Sequence, residues 1–203
     1  MTPRFIARQL ARPSGLLGWL IGHLMNRRNV KMNAFAIHQL AINPTDRVLE
    51  AGFGGGGTLS YLIENAGFVA GLDRSHDVIR RANSKFSQAV AAGRAAFHES
   101  SVEILPFDAS SFEKAITVNT VYFWESLDLG FRELYRVLAP EGKIVVGFLP
   151  KEWMDRMGMP TDIFTTRTIE EVVAATEKAG FIDVRSDKPQ TGTAWVAITA
   201  SRP

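Results

Sequence analysis

Short apolar runs alternate with amphipathic stretches along the chain from Asp46 onward. Runs such as ITVNTV and KIVVGFL are nearly continuous in apolar residues, which is typical of strands covered on both sides. The predicted strands are 47–51, 67–72, 95–98, 115–120 and 143–149, and the predicted helices are 55–65, 75–92, 126–138 and 167–179. This alternation predicts an α/β fold, with a mostly parallel sheet and helices on both of its faces.

Two further apolar runs, 181–185 and 193–200, close the chain. The segment SDKPQTG between them is too short for the crossover that parallel neighbours need, so we predict that these two strands pair antiparallel. The sheet is therefore expected to have seven strands. Residues 5–42 instead have the pattern of two or three helices, interrupted around Pro13–Ser14 and at Asn29. We predict a helical N-terminal cap over 1–45 and a main unit over 46–203, which together form one domain.

Charge and composition narrow the classes of function. The 203 residues include no cysteine, which excludes disulfides and thiolate chemistry, and the four histidines lack metal-ligand spacing, so no metal is predicted. Residues 1–45 hold six basic and no acidic side chains, whereas the remainder has 17 basic and 21 acidic ones, a net charge of −4. The apolar stretch 15–25 is too short to span a bilayer and lacks a small-residue cleavage site, which predicts a cytoplasmic protein.

The densest glycine cluster, AGFGGGGT, lies between the first predicted strand and the first predicted helix of the main unit. In open α/β sheets, ligands bind beyond the carboxyl ends of the strands, where this loop would be. Bare glycines let a ligand approach the backbone closely. Asp73, at the end of the next strand, can accept two hydrogen bonds from a ribose diol. The loop and the acid together predict a nucleoside site.

The loop satisfies two patterns, GxGxxG of dinucleotide-binding proteins and ExGxGxG beginning at Glu50. A carboxylate at position 50 suits a cationic ligand and repels a pyrophosphate. The loop with Glu50, the segment RVLAPEGKIVVGF and the segment VEILPF resemble the motifs of class I S-adenosylmethionine-dependent methyltransferases of the small-molecule type (type 11). This resemblance covers roughly 46–150 and implies a Rossmann-like fold. A NAD(P)-dependent oxidoreductase that uses the same loop is the alternative.

The resemblance implies roles for individual residues. The cofactor S-adenosylmethionine would be bound by Glu50, Gly52, Phe53, Gly54, Gly56, Asp73, Arg74, Ser101, Val102 and Asn119. Within this set the loop would hold the methionine part, Asp73 the ribose, and Ser101 with Val102 the adenine. Family members usually have Asp where Ser101 stands, so a strong acceptor for the adenine amino group is missing there.

The acceptor and any catalytic base are less well defined. Aromatic residues 122–124 and the methionine-rich segment 151–166 would shape a pocket for a small, aromatic or apolar acceptor, methylated at O, N or C. His23 and Tyr122 are the candidate bases. The basic N-terminal arm is interpreted first as a lid and secondly as an anchor at a membrane surface, which would suit a lipid or quinone acceptor. It lacks the aromatic-interleaved basic stripe of nucleic-acid modules, so nucleic acid is not the predicted partner.

Overall fold

A seven-stranded sheet forms the centre of the computed structural model, which describes residues 4–11, 13–189 and 194–203, without the side chains of 16–19, 22–23 and 25–28. The strands are β1 (Arg47–Ala51), β2 (Phe68–Asp73), β3 (Ala95–Glu99), β4 (Phe112–Val118), β5 (Leu138–Phe148), β6 (Ile182–Asp187) and β7 (Val196–Ser201). Their order is β3-β2-β1-β4-β5-β7-β6. The first five are parallel, and β7 pairs antiparallel with both β5 and β6. The predicted fold class, strand number and antiparallel final pair are confirmed.

The helices lie between these strands and at the N-terminus. They are α1 (Arg4–Ala11), α2 (Gly15–Leu40), α3 (Leu59–Asn65), α4 (His76–Lys85), α5 (Ser87–Ala91), α6 (Leu127–Val137), α7 (Lys151–Arg156) and α8 (Ile169–Lys178). The predicted break at Asn29 is wrong, because α2 continues through it. Met32, Ala36 and Leu40, four residues apart, are all buried on one side of α2. This packing outweighs the weak helix propensity of asparagine.

Two other helix boundaries also differ from the prediction. The segment predicted as one helix over 75–92 is divided at Phe86 into α4 and α5. The helix predicted from residue 55 begins at Leu59, because the preceding glycines form turns. Both differences leave the connections between the strands unchanged.

Apolar side chains of the strands alternate between the two faces of the sheet, as the two-residue period of a strand requires. Leu49 and Ala51 of β1 join a cluster with α6 and α8, whereas Val48 joins a second cluster with α2, α3 and α4. Phe112, Phe131 and Phe148 are among the largest fully buried side chains. The sheet is therefore covered on both faces, and its carboxyl edge is where ligands can approach.

The N-terminal segment crosses that edge. Ala7 of α1 is buried in the cluster of α6 and α8, whereas Ala36 and Leu40 of α2 belong to the cluster on the other face. The connection between α1 and α2 is fixed at the turn after β2. The Ser75 hydroxyl donates to the Pro13 carbonyl over 2.5 Å, and the Gly15 N–H donates to Asp77 Oδ2 over 2.8 Å. We call residues 13–15 the strap.

None of the described helices is both long and apolar enough to cross a lipid bilayer.

Candidate active site

A cavity of about 600 Å³ opens at the carboxyl edge of the sheet. One part of its wall is the glycine loop between β1 and α3, with the residues that follow β2 and β3. The opposite part comes from the segment after β4 and from α7 with the loop behind it. The cavity is also lined by Gln9, Leu10, Ala11 and Pro13, so α1 and the strap form part of its wall.

Gly52 makes the sharp turn at the start of the glycine loop. Its φ is +75°, and its N–H donates to the Leu72 carbonyl over 2.7 Å. A Cβ at this position would lie 2.4 Å from the Thr120 methyl carbon. Gly54 also has a positive φ, +48°, but a Cβ there would meet nothing within 4 Å. Position 52 therefore requires glycine for both conformation and space, and position 54 for conformation.

Asp73 lies at the end of β2 and holds this loop in place. Its Oδ2 accepts from the Gly54 N–H over 2.9 Å, and its Oδ1 accepts from the Ser75 N–H over 2.9 Å. The carboxylate therefore connects the glycine loop to the turn on which the strap rests.

Glu50 is buried at the end of β1 beside the loop. Its Oε1 accepts a short hydrogen bond from the Thr58 hydroxyl, whereas its Oε2 has no partner among the described residues. Burial raises the pKa of Glu50 from 4.5 to about 7; the Thr58 hydrogen bond opposes this rise, and the charge of Asp73 adds to it. A buried carboxyl with an unpartnered oxygen beside a cavity is well suited to a cationic ligand group.

Because Glu50 has a higher pKa in the folded protein than in the unfolded chain, the free energy of unfolding should depend on pH between these two values. The folded-state value, about 7, exceeds the unfolded value of 4.5, so the folded protein keeps a proton that the unfolded chain releases. The stability that Glu50 contributes is therefore fully present below the unfolded-state pKa and is lost as the pH rises through the folded-state pKa. We expect the free energy of unfolding, relative to Glu50→Gln, to fall by about 3 kcal/mol across this window.

Denaturant unfolding of both proteins over this pH range measures the difference. Other carboxyl groups contribute equally to the two curves and cancel in the comparison. Parallel curves for the native protein and Glu50→Gln would show that Glu50 is ionised in the folded state near pH 5.

The structure brings most of the sequence-predicted residues together. Those that line the cavity are Glu50, Gly52, Phe53, Gly54, Asp73, Arg74, Ser101, Val102, Asn119 and Tyr122. Gly56 is the exception, since it does not line the cavity, and a Cβ built at its position would lie 3.3 Å from Leu59 Cδ1. Its neighbours Gly55 and Gly57 line the cavity instead. The candidate base His23 lies in α2, but its side chain is outside the described residues.

Glu103 lines the cavity and was missed by sequence reasoning. Its Oε2 accepts from the Ser101 hydroxyl, and its Oε1 accepts from the Glu125 N–H over 2.8 Å. A carboxylate therefore lies beside Ser101, where the family pattern has an Asp. With Glu50 and Asp73, the described lining residues include three acids and one base, Arg74. This balance favours a cationic ligand over a diphosphate.

Asn119 and Tyr122 are connected at the end of β4. Asn119 has a positive φ of +58°, and its Oδ1 accepts from the Tyr122 hydroxyl over 3.1 Å. The same hydroxyl accepts from the Leu149 N–H. Burial raises the pKa of Tyr122 above its ordinary value. The Tyr122 hydroxyl therefore stays neutral and makes two hydrogen bonds, one of which positions the Asn119 side chain. Such a hydroxyl is a poor general base.

The other end of the cavity is apolar. Met154 and Phe164 are buried there, and Met32, Met157, Met159 and Leu149 extend the wall. The ring centroids of Phe123 and Phe164 are 4.9 Å apart. The two ends of the segment that carries Met154, Met157 and Met159 lie together, because the Lys151 N–H donates to the Arg167 carbonyl over 2.7 Å. The aromatic wall predicted at 122–124 is present, with Trp124 packed mainly against Phe131.

No group of three or more His, Asp or Glu side chains in the described ranges is placed to hold a metal ion. The residues present do fit a nucleoside with a cationic tail. Asp73 suits ribose hydroxyls, and the unpartnered Glu50 oxygen suits a positive charge. The open space at Gly54 admits a ligand against the backbone.

Comparisons with known proteins agree with this geometry. Residues 49–146 match the family model for a methyltransferase domain. The uncharacterized methyltransferase YdaC of Bacillus subtilis is 28% identical over 186 residues, which cover 91% of this chain and 98% of that protein. The ubiquinone/menaquinone biosynthesis C-methyltransferase UbiE of Geotalea daltonii is 24% identical over 55% of this chain and 49% of its own.

Solved structures share the fold. Geranyl diphosphate C-methyltransferase from Streptomyces coelicolor, in complex with S-adenosyl-L-homocysteine among other ligands, superposes with a TM-score of 0.71 at 16% identity. The match covers 87% of this chain and 78% of that one. The match to a methyltransferase domain decides between the two interpretations of the glycine loop, against the oxidoreductase. Residues 49–146 form a methyltransferase domain, and S-adenosylmethionine is its cofactor.

Proposed function

We propose that this enzyme methylates a small apolar or aromatic molecule at an O, N or C atom. The observation that carries the proposal is an apolar wall in the same cavity as the glycine loop, formed by Met154, Met157, Met159 and Phe164. Methionine side chains are flexible and polarizable, so they adapt to irregular apolar ligands. The names of two similar proteins, a geranyl diphosphate and a ubiquinone/menaquinone methyltransferase, refer to prenyl or quinone chemistry and support the same class.

The acidic part of the cavity is proposed to hold the cofactor. Asp73 would accept from the ribose hydroxyls, and Glu50 would face the cationic aminoacid end. Glu103 would accept from the adenine amino group in place of the acid that the family has at position 101. The bound cofactor supplies a methyl group already activated by its sulfonium.

The protein then mainly has to orient the acceptor against the methyl group and exclude water. Alignment of two reactants can supply roughly 7–11 kcal/mol of the barrier. Tyr122 fixes the rotation of the Asn119 amide at the junction of the acidic and apolar parts of the cavity. Leu10 and Ala11 of α1 line the cavity and would limit the access of water to it. We assign no general base, since the described lining residues include no histidine.

A series of acceptors of increasing alkyl length tests the substrate class. Phenols, hydroquinones, alcohols and amines would be assayed with labelled S-adenosylmethionine. Each buried methylene is worth about 0.8 kcal/mol, so kcat/KM should rise about fourfold per methylene until the cavity is filled. A preference for short or charged acceptors would contradict the proposal.

A matched pair of variants tests whether the preference for alkylated acceptors arises in the cavity. Met157 lines the cavity and Ile182 lies on β6 away from it, and each is 48% exposed. Met157→Ser should raise the KM for alkylated acceptors severalfold and leave the affinity for S-adenosylhomocysteine unchanged. Ile182→Ser should change neither quantity.

A further inference from the structure

The outer face of α2 exposes aliphatic side chains that an isolated soluble protein would normally bury. Leu20 is 56% exposed and Leu24 is 52% exposed. They lie one turn apart, on a different side of the helix from Met32 and Ala36, which are buried. Lys31 is exposed two turns further along the face of Leu24. Apolar and cationic groups therefore share this outer face.

Helix α1 shows the same combination. Phe5 is 58% exposed, and Arg8, one turn further along, is also exposed. The opposite side of this helix carries Ala7, which is fully buried. Arg4 pairs with Asp162 over 3.2 Å and is thereby partly neutralised, whereas no acidic residue occurs anywhere within 1–45.

The charge distribution identifies the kind of partner. The basic residues of 1–45 whose side chains the structure describes, Arg4, Arg8 and Lys31, are all exposed, and the rest of the chain has a net charge of −4. A partner must then accept both aliphatic side chains and cations. Anionic lipid headgroups above acyl chains do this, since leucine and phenylalanine enter the acyl boundary while arginine and lysine pair with phosphate.

Nucleic acid fits less well. Phosphate contacts account for the basic residues but leave the exposed leucines without a role. Among the side chains that the structure describes on this face, Phe5 is the one exposed ring, whereas single strands stack on several.

We propose that α1 and residues 15–31 of α2 form a docking surface for an anionic lipid bilayer, on which the enzyme lies without spanning it. The same helices line the cavity through Leu10, Ala11 and Ile21. Docking therefore brings this side of the cavity to the membrane surface, where apolar acceptors accumulate. The docking surface does not depend on the proposed acceptor class.

Flotation with two kinds of vesicle tests the proposal. The full chain would be mixed with vesicles of phosphatidylcholine alone, or of equal parts phosphatidylcholine and phosphatidylglycerol. We expect binding to the anionic vesicles alone, weakened by added salt. Arg8→Gln should lower the partition coefficient about fivefold, since one basic residue near an anionic surface is worth about 1 kcal/mol. Leu20→Ser combined with Leu24→Ser should lower it on the order of tenfold.

Matched controls lie on α6, where Arg132 and Leu129 are exposed. Arg132→Gln and Leu129→Ser should bind vesicles as the native protein does. Retained binding of S-adenosylhomocysteine shows that each variant is folded, and its loss would concern the methyltransferase site rather than the docking surface.

Three outcomes would overturn the proposal. They are absence of binding to either vesicle, equal binding to both, and variants on α1 and α2 that bind like the controls. Preferential capture by double-stranded DNA or RNA, in competition with anionic vesicles, would assign the surface to nucleic acid.

Discussion

Replacing Gly52 with alanine should lower the free energy of unfolding by about 3 kcal/mol and remove measurable binding of S-adenosylhomocysteine. A residue other than glycine at φ +75° pays about 1–2 kcal/mol for the left-handed conformation. The added methyl would also lie 2.4 Å from the Thr120 methyl carbon, an overpacking worth about 1–3 kcal/mol. Thermal unfolding should show a loss of roughly 6–12 °C, at 2–4 °C per kcal/mol for a chain of this size.

Gly93→Ala is the matched control for this prediction. Gly93 has a similar φ, +68°, but a Cβ there meets nothing within 4 Å, and the residue is far from the cavity in the turn before β3. Gly93→Ala should lower the free energy of unfolding only by the cost of the left-handed conformation, about 1 kcal/mol, and should leave ligand binding unchanged. If both variants lost equal stability, the collision with Thr120 would not be a real constraint.

Replacing Asp73 with asparagine should weaken the binding of S-adenosylhomocysteine by about 10- to 100-fold. Hydrogen bonds to a charged group contribute about 1.5–3 kcal/mol, and the substitution removes the charge from the proposed ribose contact. It also weakens the bond from the Gly54 N–H that holds the loop. Isothermal titration measures the affinity directly, with NAD and NADP as parallel ligands. Asp128→Asn, at a surface ion pair with Lys178, should bind like the native protein.

Two results would contradict this assignment. If Asp73→Asn bound S-adenosylhomocysteine as tightly as the native protein, Asp73 would not be the ribose contact. If NAD bound more tightly than S-adenosylhomocysteine, the glycine loop would be a dinucleotide site. The same titrations test Glu103. The native protein should prefer S-adenosylhomocysteine to its inosine analogue, which has a carbonyl in place of the amino group, and Glu103→Gln should narrow that preference.

The architecture and the glycine loop could be predicted from sequence because their signals are local. Continuous apolar runs identified the parallel strands, and GFGGGG after β1 identified the carboxyl edge at which the cavity opens. The continuous α2 was missed because its stability at Asn29 comes from burial of Met32 and Ala36 against the sheet, which no local pattern contains.

The details of the site that sequence patterns do not specify depend on contacts between distant residues. Glu103 is held beside the cavity by the Glu125 N–H, 22 residues away in sequence. Phe164 reaches Phe123 because the Thr165 N–H donates to the Tyr122 carbonyl over 3.0 Å. Gly56 was predicted as a contact because it fits the motif, yet the turn places it against Leu59. A pattern of spacings specifies the loop but not which of its peptide groups face the ligand.

The hydrogen bond between Lys151 and Arg167 also bears on how such an enzyme changes in evolution. It brings the two ends of 151–167 together, so the chain enters and leaves this segment at nearly the same point of the scaffold. Changes in the exposed part of the segment, such as at Met157, can therefore alter the apolar wall while the glycine loop, Asp73 and Glu50 stay on other elements. Selection can therefore explore new acceptors while cofactor recognition is inherited intact.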